Sequence, residues 1–163
     1  MRSCARSVGA GSTLTRDDVP GARRLTPSPA SDASSSAGRV SDAPRRAGIV
    51  AHAADDKKGE EIVVLDVGEI LSIAEAFVLV SASNTRLVRT IVDEVELALK
   101  LSDEESPRSV EGLDDATWVL MDYGDVIVHV FLSETRAYYD LDRLWADAPV
   151  VEWTALPALA ERA

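Results

Sequence analysis

One stretch of this 163-residue chain sets residues that could do chemistry close together in an apolar setting: "WVLMDYGDVIVHVFLSETRAYYDLDRLW", Trp118 to Trp145. Asp122 and Asp125 flank Tyr123-Gly124, His129 sits in an apolar run four residues before Ser133, and Asp140 and Asp142 form an Asp-x-Asp pair. Three chemistries are open to such a set: a cation held by carboxylates, a His base acting on a hydroxyl, or a binding surface with Trp118 as its anchor.

The metal reading is weak. Two carboxylates facing each other across a hairpin stand about 5 Å apart, but a Mg²⁺ or Ca²⁺ site usually needs six or more oxygen ligands. Asp also favours turn flanks for its own hydrogen bonding, where it stays solvated. On a helix, Asp140 and Asp142 point about 200° apart and cannot grip one ion. His129 has no Cys or His at metal-ligand spacing, Ser133 reads as a helix cap rather than a nucleophile, and His52 is isolated. Phosphate-binding loops and the nucleophile elbow have no counterpart in the sequence. The residues therefore point to no metal, no cofactor and no catalytic centre, and the surface reading is left.

The elements that position this surface follow from periodicity. "TWVLMD" and "DVIVHVFL" are strand-like runs joined by Tyr123-Gly124, which predicts a hairpin with a two-residue loop. In that register Asp122 faces Asp125, Leu120 faces Ile127, and Trp118 faces His129. Alternation then gives one wholly apolar face: Val119, Met121, Val126, Val128 and Val130. The opposite face carries Trp118, Leu120, Asp122, Asp125, Ile127, His129 and Phe131. Aromatics ringed by carboxylates suit a protein-binding patch; the alternative is that helices cover this face too and Trp118 fills a core. Protonation of His129 beside two carboxylates would tune binding between about pH 6 and 7.

Upstream, "EIVVLDV" and "EAFVLVSA" read as strands. Ser83 or Asn84 caps a helix whose Leu87, Val88, Ile91, Val92, Val95, Ala98 and Leu99 recur at three- and four-residue steps. "RSVEG" reads as a short edge strand. Downstream, Ser133 caps a helix with Tyr138, Leu141, Leu144 and Trp145 as its packed stripe. The fold class is therefore α/β, one compact domain with a mixed sheet flanked by helices. Its folded part begins near Ala47 with a short helix and ends near residue 153, and residues 154–163 form a tail. Residues 1–46, rich in Ser, Pro, Ala and Gly, read as a disordered extension. Its first 16 residues faintly resemble an organellar transit peptide.

Charge narrows the partners. Residues 47–163 hold 9 Lys and Arg against 24 Asp and Glu, a net of −15. Such a body repels phosphate, so direct nucleic-acid binding is not expected, and a basic protein is the electrostatic match. No apolar run approaches the roughly 18 residues of a membrane span. The lone Cys4 provides no disulfide framework.

The stretches "DDKKGEEIVVLDV", "FVLVSASNTRLVRTIVDEV", "VEG", "WVLMDYGDVIVHVF" and "ETRAYYDLDRLWADAP" together resemble the ribosomal silencing factor family, also called RsfS or Iojap. The resemblance spans roughly residues 47–153, and the core, rich in Ala, Arg and Asp, looks like that of actinobacterial members. It implies a nucleotidyltransferase-like α/β fold. That enzyme's site is missing, since Asp66 stands alone on its strand and "VGEI" follows in place of a Gly-Ser turn. It also implies a non-enzymatic cytoplasmic factor that binds large-subunit ribosomal protein fourteen, blocks subunit joining and represses translation when nutrients are scarce. A homodimer of the free protein fits the same resemblance. On this reading Trp118, Leu120, Asp122 and Tyr123 carry the partner surface, Tyr123 reaching from the turn tip, with Asp125, Ile127 and His129 behind them. Two rivals remain: a metal-dependent nucleotidyl or phosphoryl transferase using Asp66, Asp122 or Asp125, and an organellar large-subunit assembly factor. The family's long first helix is expected here only as its last turns, in "SDAPRRAGIV".

Overall fold

A computed structural model describes residues 41–103 and 106–159; residues 1–40 of the expected extension and the last four of the expected tail lie outside them. The element order is α1 (Ala43–Asp56), β1 (Glu60–Asp66), β2 (Ala76–Ala82), α2 (Thr85–Asp103), β3 (Ser109–Glu111), β4 (Trp118–Asp122), β5 (Val126–Leu132), α3 (Ser133–Tyr139), α4 (Leu141–Leu144) and β6 (Val150–Val151), followed by a single 3-10 turn, Trp153–Ala155. The six strands form one sheet in the order β3-β4-β5-β2-β1-β6. β2 and β5 are parallel and every other pair is antiparallel, so the sheet is mixed.

β2 is buried along its whole length, and its alternation builds two cores. Ala76, Val78, Val80 and Ala82 join Val64 of β1, Val119 and Met121 of β4 and Val126, Val128 and Val130 of β5 under α1 and α2. Phe77 and Leu79 point the other way and pack with Leu65, Val67, Ala74, Phe131 and Ala148. α2 begins where expected: the Leu87 amide donates to Asn84 Oδ1 at 2.9 Å. Its six buried residues from Val88 to Leu99 form the stripe read from the sequence.

Four expectations change. α1 is a full 14-residue helix, starting at Ala43 with Pro44 in its first turn, rather than a short one near Ala47. Its buried side holds Ile49 and Val50 but is otherwise Ala43, Ala47, Gly48, Ala51, Ala53 and Ala54, small residues that let the helix lie close to the sheet but give a weak apolar signal in its first turns. The helix expected from Ser133 onwards is two short ones, because Asp140 adopts a left-handed conformation at φ 47° and breaks it. Ser133 does not cap it; its hydroxyl donates to the Ala82 carbonyl at 3.0 Å. The expected packed stripe splits accordingly, with Tyr138 and Leu144 exposed while Leu141 and Trp145 pack against the second core.

Arg136 holds the broken helix in place. Its guanidinium is buried and donates to both carboxylate oxygens of Asp142, at 3.1 and 2.9 Å, spanning the break. It also donates to the Glu61 carbonyl and to Ser81 Oγ, tying α3 and α4 to β1 and β2. A planar fork that satisfies four acceptors at once is a task Lys cannot perform.

Gly112 closes the loop between β3 and β4. It sits at φ +86°, and a Cβ there would lie 2.0 Å from the Trp118 carbonyl oxygen. Gly112→Ala is expected to lower the unfolding free energy by about 2–3 kcal/mol, from positive-φ strain and displaced backbone. Gly68→Ala, whose Cβ would find contacts no nearer than 3.5 Å, is expected to stay within about 0.5 kcal/mol. Urea unfolding of the two variants beside the wild-type chain checks both.

Candidate functional site

The β4–β5 hairpin is the structure's centre of interest, and its register differs from the sequence expectation. Tyr123 N–H donates to the Val126 carbonyl at 3.0 Å, so the two loop residues are Gly124 and Asp125, with Gly124 at φ +92°. The pairs become Asp122 with Ile127, Leu120 with His129 and Trp118 with Phe131. The shift is by two residues. An even shift keeps every strand side chain on its expected face, and so Val119, Met121, Val126, Val128 and Val130 are all buried in the main core.

Tyr123, expected at the turn tip, is 1 % exposed and lies in the main core. The new register makes it a strand-end residue on the core-facing side instead of a loop residue. Asp122 and Asp125 do not face each other. Asp122 Oδ1 accepts the Gly124 amide at 2.7 Å, and Asp125 pairs with Arg46 of α1 at 2.8 Å. Asp66, the third carboxylate of the transferase reading, accepts the Gly68 amide at 3.1 Å. It lies two strands from β5, about 10 Å away. Among the described residues no three His, Cys, Asp or Glu side chains converge as a metal site.

Trp118, Leu120, Asp122 and Ile127 are half-buried on the second face of the sheet. Trp118 stacks on Phe131 at 5.1 Å between ring centroids and meets Tyr139 of α3 at 4.9 Å. Its indole Nε1 donates to His129 Nδ1 at 3.2 Å. Because indole nitrogen only donates, Nδ1 must accept, and the proton of the neutral imidazole is on Nε2. That Nε2 is buried with no hydrogen-bond partner among the described residues. His129 itself is only 6 % exposed, with Phe77 against its edge and Phe131 stacked beside it. It is therefore a packing residue, not a rim group, and no carboxylate stands in for the neighbours expected of it.

At the end of the hairpin far from the turn, α3 and the Gly112–Thr117 loop enclose an open cleft of about 450 Å³. Trp118, Tyr138 and Tyr139 supply its rings, and Asp115 and Glu134 supply carboxylates. Sequence reasoning missed this feature because it treated Tyr138 as core. The Tyr-Tyr pair alone carried no signal of this, since adjacent helical residues such as Ile91 and Val92 of α2 are both buried.

The family model described as "Ribosomal silencing factor during starvation" matches residues 40–163. The chain belongs to the ribosomal silencing factor family. A ribosomal silencing factor RsfS of Halalkalibacterium halodurans is 41 % identical over 104 residues, covering 64 % of this chain and 88 % of that protein. A Bacillus subtilis protein of the same name is 40 % identical over 106 residues, covering 64 % and 87 %. A solved structure from Chromobacterium violaceum superposes with a TM-score of 0.60 at 32 % identity, over 62 % of this chain and 83 % of that one. Among the described residues no helix of this family member is long and apolar enough to cross a membrane.

Burial lowers the His129 pKa from 6.5 to about 4, so the imidazole is neutral throughout the pH 6–7 range in which the sequence suggested a switch. Protonation would put a donor on Nδ1 and break the bond from Trp118. Between these two values the unfolded chain binds more protons than the folded one, so stability is complete above about pH 6.5 and declines as pH falls toward 4. The expected loss attributable to this group is roughly 3 kcal/mol. Urea midpoints measured near pH 7 and near pH 4 check it: His129→Phe should flatten that part of the pH dependence, and an unchanged slope would show that other groups cause it.

Proposed function

We propose that this chain is a non-enzymatic silencing factor that docks on the large ribosomal subunit through the second face of its sheet. The foothold is large-subunit ribosomal protein fourteen, and the bound domain obstructs joining of the small subunit, so that translation is repressed when nutrients are limiting. The observation that carries the reading is the β4–β5 face: Trp118, Leu120 and Ile127 are apolar, half-exposed and framed by carboxylates, in a domain that belongs to the ribosomal silencing factor family. The net charge of −15 over residues 47–163 favours a basic protein as foothold, because ribosomal RNA repels the body. Asp122 sits at the turn end of the same face. Tyr123, Asp125 and His129 act behind it, holding the hairpin from the core, from α1 and from under Trp118.

Removing a central aromatic anchor typically costs about 2–4 kcal/mol of binding. Trp118→Ala is therefore expected to weaken pelleting with purified large subunits at least tenfold. Its indole also packs on Phe131, so Leu120→Lys serves as a second variant that leaves the aromatic stack alone. Circular dichroism should show both folded. Binding equal to wild type in both folded variants would remove this face from the interface.

Obstruction is measured separately. Saturating protein should reduce joined ribosomes in a sucrose gradient, and undiminished joining at saturation would leave a binder that does not silence.

A further inference from the structure

The cleft at the α3 end of the hairpin has a composition that suits one kind of occupant. Tyr138 is 82 % exposed and Tyr139 51 %. They meet edge to face at 5.1 Å, and Tyr139 leads on to Trp118 at 4.9 Å with the planes 47° apart, so three rings line one wall without sharing a plane and a planar group stacks on one of them. Asp115 and Glu134 line the same cleft. Neither has an ion-pair partner among the described residues, in contrast to Asp125 at the turn end, which Arg46 already answers. An apolar knob would strip water from two carboxylates with nothing in return, and two carboxylates are too few for a divalent ion.

We propose that this cleft receives an arginine side chain of the docked basic protein, its guanidinium stacked on one ring of the Tyr138–Tyr139–Trp118 wall and hydrogen-bonded to Asp115 and Glu134. The inference rests on the docking reading above and extends it by naming the partner group. Guanidinium is favoured over ammonium because it is planar, weakly hydrated and able both to stack on a ring and to fork onto a carboxylate. From the cleft at Trp118 to Asp122 at the turn end the strand runs roughly 13 Å. The docking face is thus anchored at one end by a cation seat and continues along the strand as an apolar strip.

The test needs no ribosome. The full chain, labelled with ¹⁵N, is titrated with N-acetyl-arginine amide while the Trp118 indole signal is followed by NMR. A single side chain should bind with a dissociation constant on the order of 1–10 mM. N-acetyl-citrulline amide, of the same shape without the charge, should cause no shift, and N-acetyl-lysine amide should bind at least threefold more weakly. Tyr138→Ala, a change at an exposed residue, and the double variant Asp115→Asn with Glu134→Gln should each weaken arginine binding at least fivefold. No shift with arginine amide, an equal response to citrulline or lysine, or unweakened binding in the variants would overturn the proposal. The two readings fail separately. Arginine binding without ribosome pelleting keeps the cleft and sinks the docking reading, and pelleting with a silent arginine titration does the reverse.

Discussion

The arrangement of this domain depends on β2 being apolar on both of its faces. A strand of that kind must be covered twice. On one side the covering is done by α1 and α2, two helices long enough to seal it with Val, Ile, Leu and Ala. On the other side only the short α3 and α4 and the two connections that carry Ala74 and Ala148 are available. The sheet makes up the shortfall with bulk of its own: Phe77, Phe131 and Trp118, joined by Trp145 from the end of α4, form a thick aromatic layer on that side. Where this layer thins, toward β4, its members are left half-covered, and the half-covered rim is the surface assigned to a partner.

Electrostatics divides that rim. At the turn end the carboxylates are engaged in the fold, Asp122 in closing the turn and Asp125 in fastening the hairpin to α1. At the α3 end Asp115 and Glu134 have no such task among the described residues. A carboxylate already paired offers little to an incoming cation, while an unpaired one beside aromatic faces gains from it. The distribution of internal ion pairs thus sets the direction in which a basic partner would lie. His129 belongs to neither end; it supports the Trp118 indole from beneath and stays uncharged because it is dry.

The strands, α2 and the two-faced character of the hairpin were legible in the sequence because they rest on period-two and period-3.6 patterning of Val, Ile and Leu. The faces survived even a wrong register, since the error was an even number of residues. What the pattern could not supply was the position of the turn within "DYGD". Both Tyr123-Gly124 and Gly124-Asp125 satisfy a two-residue loop, and the choice is made by Tyr123 finding a place in the main core. α1 was under-read for a different reason: Ala and Gly mark a helix by how closely it packs, not by hydrophobicity. The break at Asp140 was illegible because it depends on Arg136 reaching Asp142 and two distant strands at once. The family resemblance carried no sign of the cleft, which is built where α3 meets the loop between β3 and β4.

The parallel pairing of β2 with β5 has a consequence for how the chain is made. Ala76 pairs with Val126, 50 residues later. At synthesis rates of about 5–20 residues per second, β2 leaves the ribosome roughly 3–10 s ahead of its neighbour. In that interval one flank of the most apolar strand has no hydrogen-bonding partner, and α2 emerges in time to cover only one of its faces. The nascent domain therefore passes through a half-built state that exposes Phe77 and Leu79, and it is completed from the C-terminal side when the hairpin arrives to insert beside β2.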